Sequence, residues 1–396
     1  MQEDPIVIVG AARTPMGGFQ GSLTPLSAPE LGGYAIQGAV ERAGVAPEDV
    51  QDLIMGLCLF AGVKQAPARQ AAHLAGIPWD AGATTISKMC GSAMKATMLA
   101  HDNILAGSHD IMVAGGMESM TNAPYILPKA RGGYRLGNGD TVRDHMFMDG
   151  LEDAYDEGRL MGTFAEDTAE HYQFTREAQD NYAIESLTRA KKAVEDGSFD
   201  DEVVPVTVKT RKGETMVTSD EQPFNANIEK IPQLKPAFRK DGTVTPANSS
   251  SISDGAAALV LMKRSEAEKR GLTPKALIHA HSTHSQEPNW FTTAPIGAVK
   301  KVLEKTGWSK EEVDLFEVNE AFAVVAMAAM RDLDIPHDKI NVHGGACALG
   351  HPVGASGARI IVTLMSALEK YDLNKGVASL CIGGGEATAV SIERLN

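Results

Sequence analysis

Cysteine is scarce in this sequence. The 396 residues hold four, Cys58, Cys90, Cys347 and Cys381, and no two form a CxxC pair. That excludes a disulfide framework and leaves a zinc knuckle without support. Positive charge is also short: 37 Lys and Arg stand against 51 Asp and Glu, a net charge of -14. So acidic a surface argues against nucleic acid or an anionic membrane as partner, although a local basic pocket could still hold a phosphate-bearing ligand. No uninterrupted apolar run reaches membrane-spanning length. The acidic opening, Met1-Gln2-Glu3-Asp4-Pro5, lacks the positive charge of a signal or transit peptide, and Arg394-Leu395-Asn396 is no targeting tripeptide, so a cytoplasmic location is expected. GxGxxG, GxxxxGK[ST], HExxH and GxSxG are all missing, so hydride-transfer, phosphate-loop, zinc-protease and serine-hydrolase readings have no motif behind them.

What remains is an ordinary globular composition, 43% hydrophobic and 22% charged, long enough for two or three packed units. The chain opens on a strand-like run, Ile6-Val7-Ile8-Val9. A helix over Ala28–Ala43, stopped by Gly44, comes next, and then a second strand at Leu53–Gly56. This alternation predicts an α/β fold with largely parallel pairing. The pattern also recurs. In residues 39–56 and 302–319, Gly44 falls on Gly307, Glu48 on Glu311 and Val50 on Val313. Asp110–Glu118 matches the strand and glycines of Ala378–Glu386, with Glu118 on Glu386, and Val7–Val9 matches Ala276–Ile278. Three matches in the same order predict a duplicated α/β unit. Residues 120–250 differ: they carry turn signals at Gly137-Asn138-Gly139 and Asp241-Gly242, a helix expected over Arg176–Asp196 and a hairpin around Arg211-Lys212-Gly213. They read as a long insertion carried by the first half. The expected division is 1–119 with 251–274, an inserted loop domain at 120–250, and 275–396.

Four segments could carry chemistry. Cys90 lies between a strand-like Thr84-Thr85-Ile86 and a helix expected over Ala93–Ala106. At a helix N-terminus, free amides and the dipole would lower a thiol pKa; Gly91 would let another backbone approach; a buried structural cysteine is the alternative. In Asn341–Arg359 the glycines Gly344, Gly345, Gly350, Gly354 and Gly357 force an irregular loop, and His351 is pinned between Gly350 and Pro352, as catalytic base or as structural histidine. A strand ends in Cys381 and runs into Gly383-Gly384-Gly385, at the carboxyl end where open α/β sheets bind ligands; a plain turn is the alternative. Asn319-Glu320 follows a strand and opens a helix, either to hold water or to cap.

Together these segments resemble the thiolases, over essentially the whole chain. The resemblance begins at Gly10-Ala11-Ala12-Arg13-Thr14-Pro15 and runs through Cys90-Gly91-Ser92, Gly115–Ser119, Asn319-Glu320-Ala321-Phe322, Gly350-His351-Pro352 and Cys381–Gly385. It implies two α/β halves in αβαβα layers, with a loop domain inserted in the first. It also implies an acetyl-CoA C-acyltransferase of fatty acid metabolism, in which Cys90 takes the acyl group, His351 draws its proton, and Cys381 works on the α-carbon. The N–H groups of Cys90 and Gly383 would form one oxyanion hole; His351 and a water on Asn319 would form the other. Met161, Phe238, Ser250, Phe291 and Phe322 would border the acyl-CoA. No metal or prosthetic group is implied. Coenzyme A is substrate and product, and the chain is expected to form a dimer or tetramer.

The sequence also departs from the family pattern. Leu160 replaces the His that usually precedes Met161-Gly162. Phe291 stands for a Met, Pro223-Phe224 for an Arg near the nucleotide, His343 for an Asn, and Ala387 for a Gly. These bear on acyl-chain preference and CoA affinity. A ketoacyl synthase would lack Cys381. A non-catalytic lipid-binding relative would be expected to lack Cys90, His351 or Cys381. Cys58 and Cys347 match no catalytic position and read as structural.

Overall fold

β1 (Ile6–Arg13) is apolar on both faces and almost wholly buried, as a strand inside a covered sheet must be. The computed structural model describes residues 4–137, 141–211 and 213–395. After β1, α1 (Ala28–Ala43) starts where the Glu30 carboxylate accepts the Ser27 N–H at 2.8 Å and ends on Gly44 at φ 67°. The first half continues with β2 (Asp52–Gly56), α2 (Pro67–Leu74), β3 (Gly82–Ile86), α3 (Ser92–Leu105) and β4 (Ile111–Ser119). α4 (Met161–Tyr172) and α5 (Arg176–Glu195) precede β5 (Ser253–Lys263). The second half holds β6 (Ala276–Ser285), α6 (Ala294–Thr306), β7 (Leu315–Val318), α7 (Ala323–Leu333), α8 (Ser356–Lys370), β8 (Lys375–Ile382) and β9 (Glu386–Arg394).

These strands run β7-β8-β9-β6-β1-β5-β4-β2-β3, and Gly17–Gly18 adds a short piece beside β5. The duplication is visible in the pairing. β2 and β4 are parallel, as are β7 and β8; every other neighbouring pair except β2–β3 is antiparallel. Each half also has a register irregularity in its opening strand, between Ile8 and Gly10 and between Ile278 and Ala280, one residue apart in the repeat. The halves meet through only two registered pairs, Val7–Leu277 and Ile8–Ala276. The packing makes five layers. One core cluster joins α1 and α2 to the first half-sheet, and another joins α6 and α7 to the second. A third buries α3 and α8 between the two half-sheets. That is the αβαβα arrangement expected. No helix among the described residues is long and apolar enough to cross a membrane.

Among the described residues of 120–250, no strand joins the large sheet; Val206–Thr210 pairs with Gly213–Val217 as the expected hairpin, whose Lys212 lies outside the described residues. Of the two turn signals, Asn138 and Gly139 lie outside the described residues, and Gly242 N–H donates to Arg239 O at 3.1 Å. This segment is tied to β1 by charge. The fully buried Arg13 guanidinium binds Glu202 and, through two nitrogens at 2.6 and 2.9 Å, Asp220. Replacing Arg13 by Met would strand two buried carboxylates. Breaking a buried pair from one side costs ~3–5 kcal/mol. Arg13→Met is therefore expected to unfold at markedly lower urea; an unchanged midpoint would show that the cluster contributes no stability.

Candidate active site

The chain turns sharply between β3 and α3, and Cys90 sits in that turn. Met89 is held at φ 47°, a left-handed conformation unusual for a side-chain-bearing residue. Gly91 N–H returns to Lys88 O at 3.0 Å, and Ser92 Oγ bridges Lys88 N–H (2.8 Å) and Met89 O (2.6 Å). Cys58, read above as structural, donates its thiol to Met89 O at 3.0 Å and so braces the turn. Two expectations are corrected here. Gly91 admits a side chain rather than a backbone: a Cβ there would stand 2.4 Å from Ile382 Cδ1. The Cys90 thiol is not acidified. Although it sits just before the N-cap of α3, burial pushes it up to about 11, against the N–H groups of Gly383 and of Cys90 itself, which lower it.

The His351 loop crosses from the second half. His351 is buried; its Nδ1 lies 2.6 Å from Ser356 Oγ, and its Nε2 has no partner among the described residues. Burial, then the charge of Arg359, lowers its pKa to about 3, so the ring is neutral at pH 7. Ser356 in turn donates to Pro352 O at 3.0 Å. The loop is clasped by Glu118, whose carboxylate accepts N–H groups from Gly354 (2.9 Å), Cys58 (2.9 Å) and Leu59 (3.2 Å). Burial raises Glu118 to about 7 in spite of those donors. Backbones touch here: a Cβ on Gly116 would lie 2.0 Å from Gly354 O.

β8 delivers Cys381, fully buried, and the turn after it aims Gly383 N–H at Cys90 Sγ. Burial, and then Cys90, raise the Cys381 pKa well above that of a free thiol. Asn319 is buried with both amide atoms unpartnered among the described residues. It is no helix cap: α7 begins at Ala323, after Phe322. Glu320 faces away, bound to Tyr182 (2.9 Å), Ser186 (2.7 Å) and the N–H of Cys347 (3.0 Å).

Phe291, Phe322 and Cys381 share one apolar cluster, with Met161 and Phe238 packed against it. Met161 Sδ would touch a Cβ on Gly383 at 3.2 Å, Phe238 and Phe322 meet edge to face at 6.0 Å, and Ser250 donates to Ala321 O at 3.0 Å. Met161, Phe238, Phe291 and Phe322 thus gather with Cys381, and Val353, two residues after His351, packs in one cluster with Cys58 and Cys90. Sequence reading overlooked Ser356, Glu118, Lys88 and the bracing by Cys58. Glu118 was marked only as part of the repeat and of the Gly115–Ser119 motif; for the others the signal was position, since Ser356 opens α8 five residues after His351 and Lys88 stands two residues before Cys90.

A duplicated five-layer α/β fold that delivers a cysteine from each half is the architecture of the thiolase class. The chain matches the thiolase N-terminal domain over residues 6–265 and the thiolase C-terminal domain over 272–394. It belongs to the thiolase family and is an acyltransferase. It is 47% identical to the acetyl-CoA acetyltransferase of Cupriavidus necator over 98% of this chain and 99% of that one. To the cytosolic acetyl-CoA acetyltransferase of Mus musculus it is 48% identical over 99% and 98%. The Bacillus anthracis acetyl-CoA acetyltransferase structure superposes with a TM-score of 0.96 at 43% identity, over 99% of both chains. The Ascaris suum thiolase in complex with coenzyme A superposes at 0.93 and 41% identity, covering 99% of this chain and 100% of that one.

Proposed function

We propose that the protein is an acetyl-CoA C-acyltransferase. It joins acetyl-CoA to a second acetyl-CoA or another acyl-CoA, or cleaves a 3-oxoacyl-CoA with CoA, through an acyl group on Cys90. One observation carries this reading: the N–H groups of Gly383 and of Cys90 itself both stabilise charge on the Cys90 sulfur, which lies close enough to Cys381 to raise its pKa. In the first step Cys90 Sγ attacks the thioester carbonyl. Its proton passes to the bare Nε2 of His351 and on to the departing CoA thiolate. In the second, Cys381, having released its own proton, takes an α-proton of acetyl-CoA; the new carbanion bonds to the acyl carbon, the Cys90–acyl bond breaks, and the Cys90 thiolate takes up the proton that Cys381 released. The two N–H groups that now bind sulfur lie next to the oxygen an acyl group would present. His351 and a water on the unpartnered Asn319 would hold the other oxyanion, each donor being worth ~3 kcal/mol.

In this reading Met161, Phe238, Phe291 and Phe322 wall the acyl group, Ser250 lies toward CoA, and no metal or prosthetic group takes part. The 120–250 segment would act as the loop domain over the site. A dimer or tetramer is favoured by β3, which ends the sheet with one edge unpaired among the described residues. The cytosolic mouse relative favours a cytoplasmic location.

The test is a series of 3-oxoacyl-CoA substrates from four to ten carbons. Each methylene in an apolar pocket is worth only ~1–3 kcal/mol, so selectivity should be graded. Leu160 adds apolar surface where the family's His would stand, and Phe291 adds bulk, so the four-carbon acetoacetyl-CoA is expected to be turned over well, with some tolerance of longer chains. A kcat/KM maximum at eight or ten carbons with little turnover at four would identify a long-chain degradative enzyme instead.

A further inference from the structure

We propose that Lys88 and Glu386 form a positioning latch that holds the Cys90 turn and the Cys381 turn in register for acyl transfer. The proposal rests on the reading of Cys90 as the acylated residue. Lys88 Nζ lies 2.5 Å from Glu386 Oε2, and this ion pair joins the two halves of the protein at the site. On one side Lys88 is integral to the Cys90 turn: its carbonyl accepts the Gly91 N–H, and its own N–H is held by Ser92. On the other, Glu386 is the first residue of β9, directly after Gly383-Gly384-Gly385.

That glycine turn needs an external hold. Gly384 and Gly385 adopt φ of 95° and 91°, a Cβ on Gly384 would meet nothing within 4 Å, and one on Gly383 would meet only Met161 Sδ. Yet Gly383 supplies an N–H to Cys90 Sγ. Gly385 is held by Gln286, whose N–H donates to its carbonyl at 2.7 Å, so the placement of Gly383 depends on that contact and on what grips the chain just beyond it. There Glu386 is fixed from two directions, by Lys88 on Oε2 and by Ser285 Oγ on Oε1 at 3.0 Å.

The strand pairing puts Glu118, in β4, and Glu386, in β9, at different places of the repeat, yet each acid binds the loop of the opposite half. Glu118 holds Gly354 N–H in the His351 loop, and Glu386 holds Lys88 in the Cys90 turn. The Glu118 clasp is buried, whereas Lys88 and Glu386 are 19% and 33% exposed, so their pairing should contribute little to global stability. Its effect should appear in catalysis, where a displacement of about 1 Å can cost ~100-fold.

The test uses the full-length protein with Lys88→Met, Glu386→Gln and the double variant. Three quantities are read: the urea midpoint, kcat and KM for acetoacetyl-CoA thiolysis, and the rate of Cys90 alkylation by iodoacetamide at pH 8. Each single change is expected to lower kcat about five- to tenfold with KM within about twofold and the midpoint unmoved. The double variant should be no worse than the worse single, because the pair acts as one unit. Alkylation should slow in all three, since the Gly383 N–H that favours the thiolate is displaced. Unchanged kcat and alkylation, an effect confined to KM, or a double loss equal to the product of the single losses would each overturn the latch. If the wild type fails to cleave acetoacetyl-CoA, the substrate reading falls, and alkylation alone decides the latch.

Discussion

Cys90→Ala should lose at least about four orders of magnitude in kcat, because the sulfur served by the Gly383 N–H is gone and a removed nucleophile leaves only binding and oxyanion stabilisation. The complementary result is positive. Wild-type protein incubated with acetyl-CoA and quenched in acid should carry one acetyl group, on the peptide containing Cys90; acetyl on Cys381 with none on Cys90 would reverse the roles. The electrostatics sharpen the expectation. Burial holds the Cys90 thiol at about 11, so at pH 7 only ~1 in 10⁴ molecules carries a thiolate. Its alkylation by iodoacetamide should then rise about tenfold per pH unit between pH 7 and 10 without a plateau. A plateau near pH 7 would mean that the N-terminus of α3 outweighs burial. His351 is lowered to about 3 and stays neutral over this range. His351 can thus accept a proton at every pH tested, and at rest the Cys90 thiol and the His351 imidazole are both neutral.

The difference between that outcome and the sequence expectation marks how far local reasoning reaches. β1, α1, α3 and α5 were legible because their signals are local: an apolar run, a Ser-Pro opening closed by glycine, a helical period. The expected helix over 93–106 differs from Ser92–Leu105 by one residue at each end. The duplication was legible because it repeats whole elements in order. The sign of the Cys90 shift was not. A helix N-terminus can be read from sequence, whereas the desolvation opposing it comes from Val353, Ile382 and other residues far along the chain. The same holds for Asn319, whose place before a helix suggested a cap; the helix starts three residues after Glu320, and the amide is left bare in the interior. Gly91 was rightly marked as a point of close approach, but what approaches, the Ile382 side chain, is set by how the halves dock.

Cys381→Ala is expected to separate the two half-reactions. In the structure Cys381 is fully buried, and its only stabilised form at rest is the neutral thiol: burial raises its pKa first, and the neighbouring Cys90 raises it further. Cys381 must therefore lose its own proton before it can take one from the α-carbon, and an acylated Cys90 cannot compete for that negative charge, because a thioester sulfur does not ionise. Acyl transfer to Cys90 needs none of this. The variant should still take an acetyl group from acetyl-CoA at a rate within about tenfold of wild type, while acetoacetyl-CoA formation and cleavage fall by about 10²–10⁴, the usual worth of a positioned acid or base. Deleting one buried sulfur leaves a cavity of methyl size, a cost on the order of 1 kcal/mol, so an unfolding midpoint close to wild type accompanies the loss. Cys381→Ser should fare little better, since an alcohol is far too weak an acid to exchange the proton. Wild-type thiolysis by either variant would remove Cys381 from the reaction and pass the proton to the neutral His351, whose unpartnered Nε2 is the other base at the site.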